Sequence, residues 1–477
     1  MNKNLEISRH IYILGLVLLP VILFPWSETP YTLPKTFFLS IFTTLSFFFF
    51  LKSKPKNIKF PNKWFLILFI IEFLNYIFLD NNFLFPRYSE GFLVSGVIFI
   101  NLILALNIFH DLNLEKVIFY ASNLVIFSSL IDIFIFDSRA SGTIGQANFL
   151  GIFLVISFFS FIKIKNQLQV NKFFEFLYLG FLGILFIKSA SLASLLGLIS
   201  GIFFLKPNLK KIPRSYIFAG ILILIISLSL FGKIFSAKVF DIYNQILNPK
   251  QTVISDSFLI RQKIWQKSFE ILNIYPSKLI LGFGPNNFNF YFEKHRGNIL
   301  DEYSEANLLF DKPHNYFIEI LFSFGIFYFG IFCYLSLKTL KANKNNFLII
   351  PILIFLFFNW LDIYFKIIFF LIIFLELPII EIKNWKILQI NLFTGILLIT
   401  IFFGSLLYRD YEFSKGDSSY IFSMKKNEIV ELKVKNPLIL ISAFEYLNEE
   451  ERGKIFDFLI KNFPDNKAIL FHLNKLL

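Results

Sequence analysis

The side chains best suited to chemistry stand in short polar segments between long apolar blocks. His314 follows Asp311-Lys312-Pro313 and directly precedes an apolar block. We therefore expect it at a helix N-terminus, where the partial positive charge of the helix disfavours the imidazolium. A neutral imidazole is the form that a general base needs. The same position suits an interfacial histidine that only caps the helix, and position alone leaves both interpretations open.

Three cations occur in segments of the same kind. Arg261 lies in Leu259-Ile-Arg-Gln-Lys-Ile-Trp265, and its guanidinium can bind two phosphate oxygens at once; a solvated or lipid-facing arginine is the alternative. Arg139 lies in 137–148, a segment of small residues whose backbone can approach an anion closely, although a plain turn explains its glycines equally well. Lys188 stands between two apolar blocks and is either a phosphate contact or a snorkelling lysine.

The composition requires membrane helices to position these segments. The chain has 477 residues, 56% of them hydrophobic, and a mean hydropathy of +0.64, more than a soluble protein of this size can bury. The apolar residues form blocks of about 15–22 residues, as needed to cross about 30 Å of hydrocarbon. The sequence predicts an all-α polytopic membrane protein with about 12–13 transmembrane helices, at 11–26, 36–51, 64–79, 91–109, 116–136, 147–162, 173–187, 190–205, 215–231, 314–337, 347–361, 367–380 and 387–407.

The breaks between the apolar blocks alternate in charge. Basic breaks occur at 52–63, 163–165, 206–214 and 338–344, and the positive-inside rule places them in the cytoplasm. The opposite side then receives 27–35, 80–90, 137–146, 232–313 and the C-terminal tail. The net charge of +13 is explained by these topology determinants, so we expect membrane lipids and no nucleic acid as partners.

This topology divides the chain into four parts. Residues 1–231 and 314–407 are the N-terminal and C-terminal transmembrane helices, 232–313 is one large loop on the side opposite the cytoplasm, and 408–477 is a small helical tail on the same side; both are periplasmic if the chain lies in a bacterial inner membrane. The loop contains an amphipathic pattern over 256–272, which predicts a helix lying on the membrane surface with the apolar face Phe258, Ile264, Trp265, Phe269 and Leu272. The tail predicts short helices over 438–447, 449–463 and 467–476.

Several familiar signals are missing from the sequence. There is no Walker A loop, no zinc-type His/Cys spacing, no Gly-x-Ser-x-Gly and no Asp-x-Asp pair. We therefore expect no metal and no cofactor, and a nucleotide-sugar donor is disfavoured. The carboxylates predicted within spans, Glu72, Asp132, Glu175 and Glu376, lack basic partners at regular spacing and predict no proton relay.

Four motifs, in this order, resemble the O-antigen ligase and polymerase superfamily over roughly residues 10–410. They are Arg139-Ala-Ser-Gly-Thr-Ile-Gly-Gln-Ala-Asn148, Arg261-Gln-Lys-Ile-Trp265, Ile280-Leu-Gly-Phe-Gly-Pro285 and Pro313-His-Asn-Tyr-Phe-Ile-Glu-Ile-Leu-Phe-Ser-Phe-Gly325. The resemblance implies a metal-independent, inverting transfer of a glycan from undecaprenyl diphosphate, at the periplasmic face of a bacterial inner membrane.

The resemblance also implies roles for particular residues. His314 corresponds to the family's proposed base for the acceptor hydroxyl, and Arg261 to the arginine that neutralises the diphosphate leaving group. Asn148 and Asn315 lie in matching motifs and are candidate substrate-binding residues, together with Arg139 and Lys188. The family's second arginine is missing, because Leu192 stands where it would align; Lys188 or Arg139 is the candidate replacement.

The acceptor stays open at this point. A lipid A core would make the chain a ligase, the growing glycan would make it a polymerase, and Ser or Thr of a protein would make it an O-oligosaccharyltransferase. The competing classes are a polysaccharide transporter or flippase, which performs no covalent chemistry, and a scaffold that acts through the tail.

Overall fold

The computed structural model describes residues 2–25, 27, 31–79, 92–109, 113–136, 140–204, 257–303, 305–342, 346–383, 386–414, 437–444, 447–464 and 466–476. Arg139, the predicted span at 215–231 and the first part of the large loop, 232–256, lie outside these residues.

Helices dominate the described chain. The N-terminal part contains α1 (Lys3–Leu18), α2 (Leu33–Lys52), α3 (Lys63–Phe78), α4 (Phe92–Ile108), α5 (Leu114–Phe136), α6 (Ala147–Leu168), α7 (Lys172–Ser189) and α8 (Leu192–Phe204). The loop contains α9 (Ser257–Ile274), α10 (Pro276–Leu281) and α11 (Phe288–His295). They are followed by α12 (Tyr316–Ala342), α13 (Asn346–Leu356), α14 (Ile363–Glu376) and α15 (Lys386–Ser414), and by the tail helices α16 (Pro437–Ala443), α17 (Glu449–Asn462) and α18 (Lys467–Leu476).

Many of these helices are apolar enough for a membrane. By length and composition, six helices of the described chain can cross one: α1 with the 3-10 turn that follows it, α2, α5, α6, α12 and α15. Shorter apolar helices lie at Leu93–Ile108, Leu192–Phe203, Phe347–Leu356 and Ile363–Ile373. The chain is therefore a helical, multi-pass membrane protein, with fewer full-length spans in its described part than the 12–13 predicted for the whole.

The polar breaks gather at the two ends of the helix bundle. At one end, the Asn2 side chain donates to the Ser53 carbonyl at 3.1 Å, and β1 (Asn57–Phe60) pairs antiparallel with β2 (Ile380–Lys383). Lys165 forms an ion pair with Glu175 at the same end, 3.2 Å apart, so Glu175 does have a basic partner, contrary to the expectation from sequence. We call this the basic end and the opposite one the site end.

The predicted spans 347–361 and 367–380 differ from the structure. The first helix stops at Leu356 and the next begins at Ile363, with non-helical backbone at 357–362 between them. Helices of 11 and 14 residues extend only about 17 and 21 Å, less than the roughly 30 Å of a bilayer core. The polar side chains of Asn359 and Asp362 in this break are used in buried contacts, which apolar periodicity does not reveal.

The long helix α12 is interrupted at Gly325, whose φ of 79° is open to glycine but strained for other residues. The interruption frees carbonyl groups of the preceding turn, which bond to the loop. Phe283 N donates to Phe322 O at 2.8 Å, and Gly284 N donates to Ser323 O at 3.0 Å. The third and fourth sequence motifs thus meet here, and their glycines serve the packing of the loop on α12.

Substitution Gly325→Ala is expected to destabilise the protein by roughly 2 kcal/mol or more, because a left-handed conformation strains an L-residue. The added Cβ would also overlap the carbonyl of Ile280. The measurement is the thermal unfolding midpoint of the purified protein. Gly330→Ala is the matched control on the same helix, since a Cβ there meets nothing within 4 Å; equal midpoints for the two variants would contradict the argument.

The loop helix α9 is present as predicted, but its apolar face is used differently. Ile260, Ile264, Ile271 and Leu272 are buried in a core that includes Phe283, Phe292, Phe310 and Phe322. Phe258 and Phe269, assigned to the apolar face from sequence, are 43% and 47% exposed. The helix therefore packs one side against the rest of the loop and α12, with Phe258 and Phe269 left exposed, and its contact with a membrane surface stays a prediction.

Candidate functional site

The centre of the site is the turn that joins the loop to α12. His314 adopts a φ of 53°, a left-handed conformation that few residues other than glycine adopt, although histidine does so more often than most. The turn is anchored on both sides: Trp265 Nε1 donates to Pro313 O at 2.9 Å, and Tyr316 N donates to Asn359 O at 3.0 Å. These bonds stabilise a conformation that costs free energy locally.

Asn315 caps α12. Its side-chain Oδ1 accepts hydrogen bonds from Phe317 N at 3.0 Å and from Ile318 N at 3.1 Å, and the residue is buried. This is the N-cap arrangement that satisfies otherwise unpaired helix N–H groups. The described hydrogen bonds of Asn315 therefore serve the helix that carries the turn, and a contact with substrate stays a prediction.

The His314 ring lies in an aromatic and cationic environment. Its centroid is 5.0 Å from that of Trp360 and 6.4 Å from that of Phe310. Its Nδ1 is buried and finds no hydrogen-bond partner among the described residues. Burial, followed by the positive charges of Arg261 and Lys312, lowers the pKa of His314 from 6.5 to about 3. The predicted neutral state follows, but from burial and nearby cations, since α12 begins only at Tyr316.

Two cations lie close to this ring. Arg261 is half-buried on α9, one helical turn before Trp265, so both side chains project from one face of α9 towards the turn. Lys312 is buried and forms an ion pair with Glu319, 3.1 Å apart. Its Nζ also lies 5.9 Å from the centre of the Trp360 ring. The site thus combines a neutral imidazole with two cations, which suits an anion beside a proton acceptor.

Asn148 reaches the turn through the break at 357–362. Its Nδ2 donates to Asn359 Oδ1 at 3.3 Å, and Asn359 O accepts from Tyr316 N. Ser194 Oγ also donates to Asn148 O at 3.2 Å. The structure therefore brings Asn148 into the same polar layer as His314, joined by the buried side chain of Asn359.

Lys188 lies at the junction of α7 and α8, next to this layer. Its carbonyl accepts a hydrogen bond from Ala140 N at 3.2 Å. The junction approaches α6 at Gly151, where a Cβ would crowd the side chains of Ser191 and Ser194. Leu192, aligned with the family's second arginine, is the first residue of α8. The structure thus groups Lys188 with the site end, and its role as a substrate contact stays a prediction.

Besides Lys312 and its partner Glu319, sequence reasoning missed three charged or polar residues of the described site end. Lys35 is fully buried and donates from Nζ to Thr143 O at 3.1 Å and to Ile144 O at 3.3 Å. Asp362 lies near enough to interact electrostatically with Lys35, and its buried Oδ2 finds no hydrogen-bond partner in the described part of the chain. Asn359 is the third. Isolated polar residues at the edges of apolar blocks were the only available signal.

Besides Glu175, which pairs with Lys165, two other predicted intramembrane carboxylates have partners in the described part of the chain. Asp132 Oδ2 accepts from Ser141 N at 3.2 Å and from Gly142 N at 3.0 Å, which fixes the turn before α6. Glu72 accepts from Ser95 Oγ and from Tyr328 Oη at 3.3 Å. It lines a cavity of about 40 Å³ inside the bundle, with Glu319 and Lys366 among the other lining residues.

Fold and site define a helical membrane protein with a polar, cationic centre around one histidine at one end of its bundle. In comparisons with protein-family models and with curated proteins, nothing matches the chain.

Acidification from pH 6.5 towards 3 is expected to destabilise the folded protein through His314. The unfolded chain protonates this imidazole near pH 6.5 and the folded chain only near pH 3, so the unfolded state binds the extra proton within this window. The contribution to stability is complete above pH 6.5 and decreases as the pH falls. Unfolding midpoints at pH 7.5 and 4.5 are expected to differ less for His314→Asn than for the wild type; equal differences would refute the pKa assignment.

Proposed function

We propose that this protein is an O-antigen ligase-like glycosyltransferase. It transfers a glycan from undecaprenyl diphosphate to an acceptor at the periplasmic face of a bacterial inner membrane. The observation that carries the proposal is the His314 turn, in which a buried neutral imidazole with an unpartnered Nδ1 lies beside Arg261 and Lys312. The ordered motifs that resemble the O-antigen ligase superfamily supply the substrate class.

The proposed step is a metal-independent, inverting displacement. The acceptor hydroxyl oxygen attacks the anomeric carbon of the glycan, the bond from that carbon to the diphosphate oxygen breaks, and the diphosphate leaves with the electron pair. The hydroxyl proton passes to the imidazole of His314. Arg261 stabilises the charge that develops on the diphosphate. The ammonium group of Lys312, which Glu319 holds in place through an ion pair, is a second positive charge nearby.

The low pKa of His314 in the substrate-free protein is compatible with a role as base, because binding of the donor changes that pKa. Without substrate, burial and the two cations hold the imidazole neutral, so it is ready to accept a hydrogen bond from a hydroxyl. A bound diphosphate brings negative charge next to the ring, which favours the imidazolium and raises its pKa. Proton acceptance is thereby coupled to the presence of the donor.

The test is a competition between acceptors. The purified protein in lipid nanodiscs is given a polyprenyl-diphosphate-linked oligosaccharide together with a lipid A core, the unextended glycan and a Ser/Thr-rich protein. We expect a single shifted band of the lipid A core, which is the product of a ligase. A ladder of products would identify a polymerase and a shifted protein band an O-oligosaccharyltransferase. A donor left intact with all three acceptors would contradict the proposed function.

A second candidate, transport without covalent chemistry, is favoured by the break at 357–362 and by the charged side chains of Glu72 and Lys366 in the lining of the cavity. Transporters often hold substrates on discontinuous helices. The cavity of about 40 Å³ is far smaller than the roughly 300–1,000 Å³ of ordinary ligand pockets and has room for water only. Movement of the chemically unchanged glycan donor across a proteoliposome membrane containing the protein would nevertheless show that the protein is a transporter.

A further inference from the structure

The tail helices pack onto the loop. Their buried core (Leu440, Ala443, Phe444, Leu447, Ile455, Leu459, Phe463, Ile469 and Leu473) contacts Phe290 and Leu309 of the loop. The Phe290 and Phe463 rings lie 5.7 Å apart, edge to face. Lys467 forms an ion pair with Asp301. The tail therefore lies on the part of the loop that leads to His314.

A buried carboxylate lies at the centre of this contact. Glu293 Oε1 accepts from Phe310 N at 2.9 Å. Its Oε2 accepts from Asn466 Nδ2 at 2.7 Å and from Arg296 at 3.3 Å. Glu293 and Arg296 are each only 1% exposed. Burial raises the pKa of Glu293, and the charge of Arg296 and the three donated hydrogen bonds act against this shift. Because all three partners donate, the arrangement favours the ionised carboxylate, whose charge Arg296 balances.

Arg296 extends the network along the chain towards the site. Its guanidinium donates to Leu308 O at 2.6 Å and to Ala306 O, and Asn289 Nδ2 donates to Phe310 O at 2.9 Å. Segment 306–310 is thus held by side chains bonded to its backbone. It has no helix or strand of its own, so these bonds determine its path.

The segment ends against the catalytic candidate. The Phe310 ring lies edge to face with that of His314, 6.4 Å away, and packs on Phe292, 6.0 Å away. A displacement of Phe310 therefore reaches the imidazole directly, since close-packed neighbours move together.

We propose that Glu293, Arg296 and Asn466 form a latch through which the C-terminal tail positions the His314 turn. They are positioning residues, and their effect on turnover rests on the function proposed above. The latch makes the tail part of the active-site architecture, although α18 lies more than 150 residues after His314 in sequence.

The sharpest variant is Asn466→Asp. Asn466 Oδ1 also accepts from Ile469 N at 3.1 Å as the N-cap of α18, and aspartate preserves that cap. The substitution replaces the donor to Glu293 with a like charge. Asn448→Asp is the matched control: it changes the exposed N-cap of α17, whose Oδ1 accepts from Glu451 N at 2.9 Å.

Two readouts separate the latch from the proposed function. Hydrogen exchange of the peptide containing Phe310 is expected to be about tenfold faster or more in Asn466→Asp, because the substitution removes a hydrogen bond to a charged group. It is expected to be unchanged in Asn448→Asp. In Asn466→Asp, the kcat of glycan transfer is expected to fall about 10- to 100-fold, because a small displacement of a catalytic group lowers the rate by about this factor. The donor KM is expected to stay within twofold of wild type.

The outcomes are distinct. Equal hydrogen-exchange rates at Phe310 in Asn466→Asp and Asn448→Asp would overturn the latch, whatever the transfer activity of the two variants. Faster exchange with unchanged kcat overturns its positioning role. If the wild type transfers no glycan, the proposed function fails and the exchange result still decides the latch.

The double variant Glu293→Gln with Asn466→Asp reverses this hydrogen bond, because the amide introduced at position 293 can donate to the carboxylate introduced at position 466. It is expected to recover at least part of the lost protection and kcat. If the two residues contributed only packing, the losses of protection and of kcat caused by the single substitutions would add in the double variant.

Discussion

Replacing His314 with asparagine is expected to lower the kcat of glycan transfer by about 10²- to 10⁴-fold, the usual contribution of a general base. Asparagine tolerates the left-handed backbone of the turn, so the variant removes the imidazole with little new strain. The donor KM should change much less, because Arg261 and Lys312 remain. The measurement is steady-state transfer by the purified variant in nanodiscs.

His295→Ala is the control for this variant. His295 belongs to the same loop, and its Nε2 lies 3.1 Å from Tyr275 Oη, outside the His314 turn. It should retain transfer within about threefold of wild type, an effect near 0.6 kcal/mol. A folded His314→Asn protein with more than a tenth of the wild-type kcat would show that the imidazole is not the base.

The second large effect is expected for Arg261. Arg261→Ala should lower kcat by about 10²- to 10³-fold, as loss of one donor to a developing negative charge does. Arg261→Lys should recover only part of this, because an ammonium supplies charge without the paired N–H groups that fit two phosphate oxygens. Initial rates with the lipid diphosphate donor measure both variants.

Arg261 also has an effect that does not depend on turnover. Its charge contributes to the low pKa of His314, so Arg261→Ala should raise that pKa and reduce the loss of stability on acidification. Lys267→Ala is the control on the same helix, since Lys267 pairs with Glu270 at 2.9 Å. If Arg261→Ala and Lys267→Ala lose transfer equally, the diphosphate contact is wrongly assigned.

Local sequence signals predicted the elements that depend on local interactions. The tail helices lie within a few residues of their predicted bounds, and α17 begins with a capping box formed by Asn448 and Glu451. The predicted helix at 256–272 is also present, as Ser257–Ile274. Its buried face was only partly predicted, because Phe258 and Phe269 fit the helical period but face outwards.

The contacts that build the site were not predictable in the same way. Asn359 matters because its carbonyl accepts from Tyr316 N and its side chain accepts from Asn148, and both contacts join residues far apart in the chain. The helix break that exposes this carbonyl is hidden within a nearly continuous apolar run. Burial lowers the pKa of His314, and burial depends on the packing of Phe310 and Trp360, which no local pattern specifies.

The most direct test of the central claim is a single-turnover reaction with an α-linked polyprenyl diphosphate glycan, performed in EDTA with wild-type protein and with His314→Asn. The measured quantities are the release of polyprenyl diphosphate and the anomeric configuration of the new bond. We expect equal amounts of released carrier and of β-linked product with the wild type, and a rate about 10²-fold lower or more with the variant. A retained α configuration, a requirement for a divalent metal, or equal rates for the two proteins would contradict it.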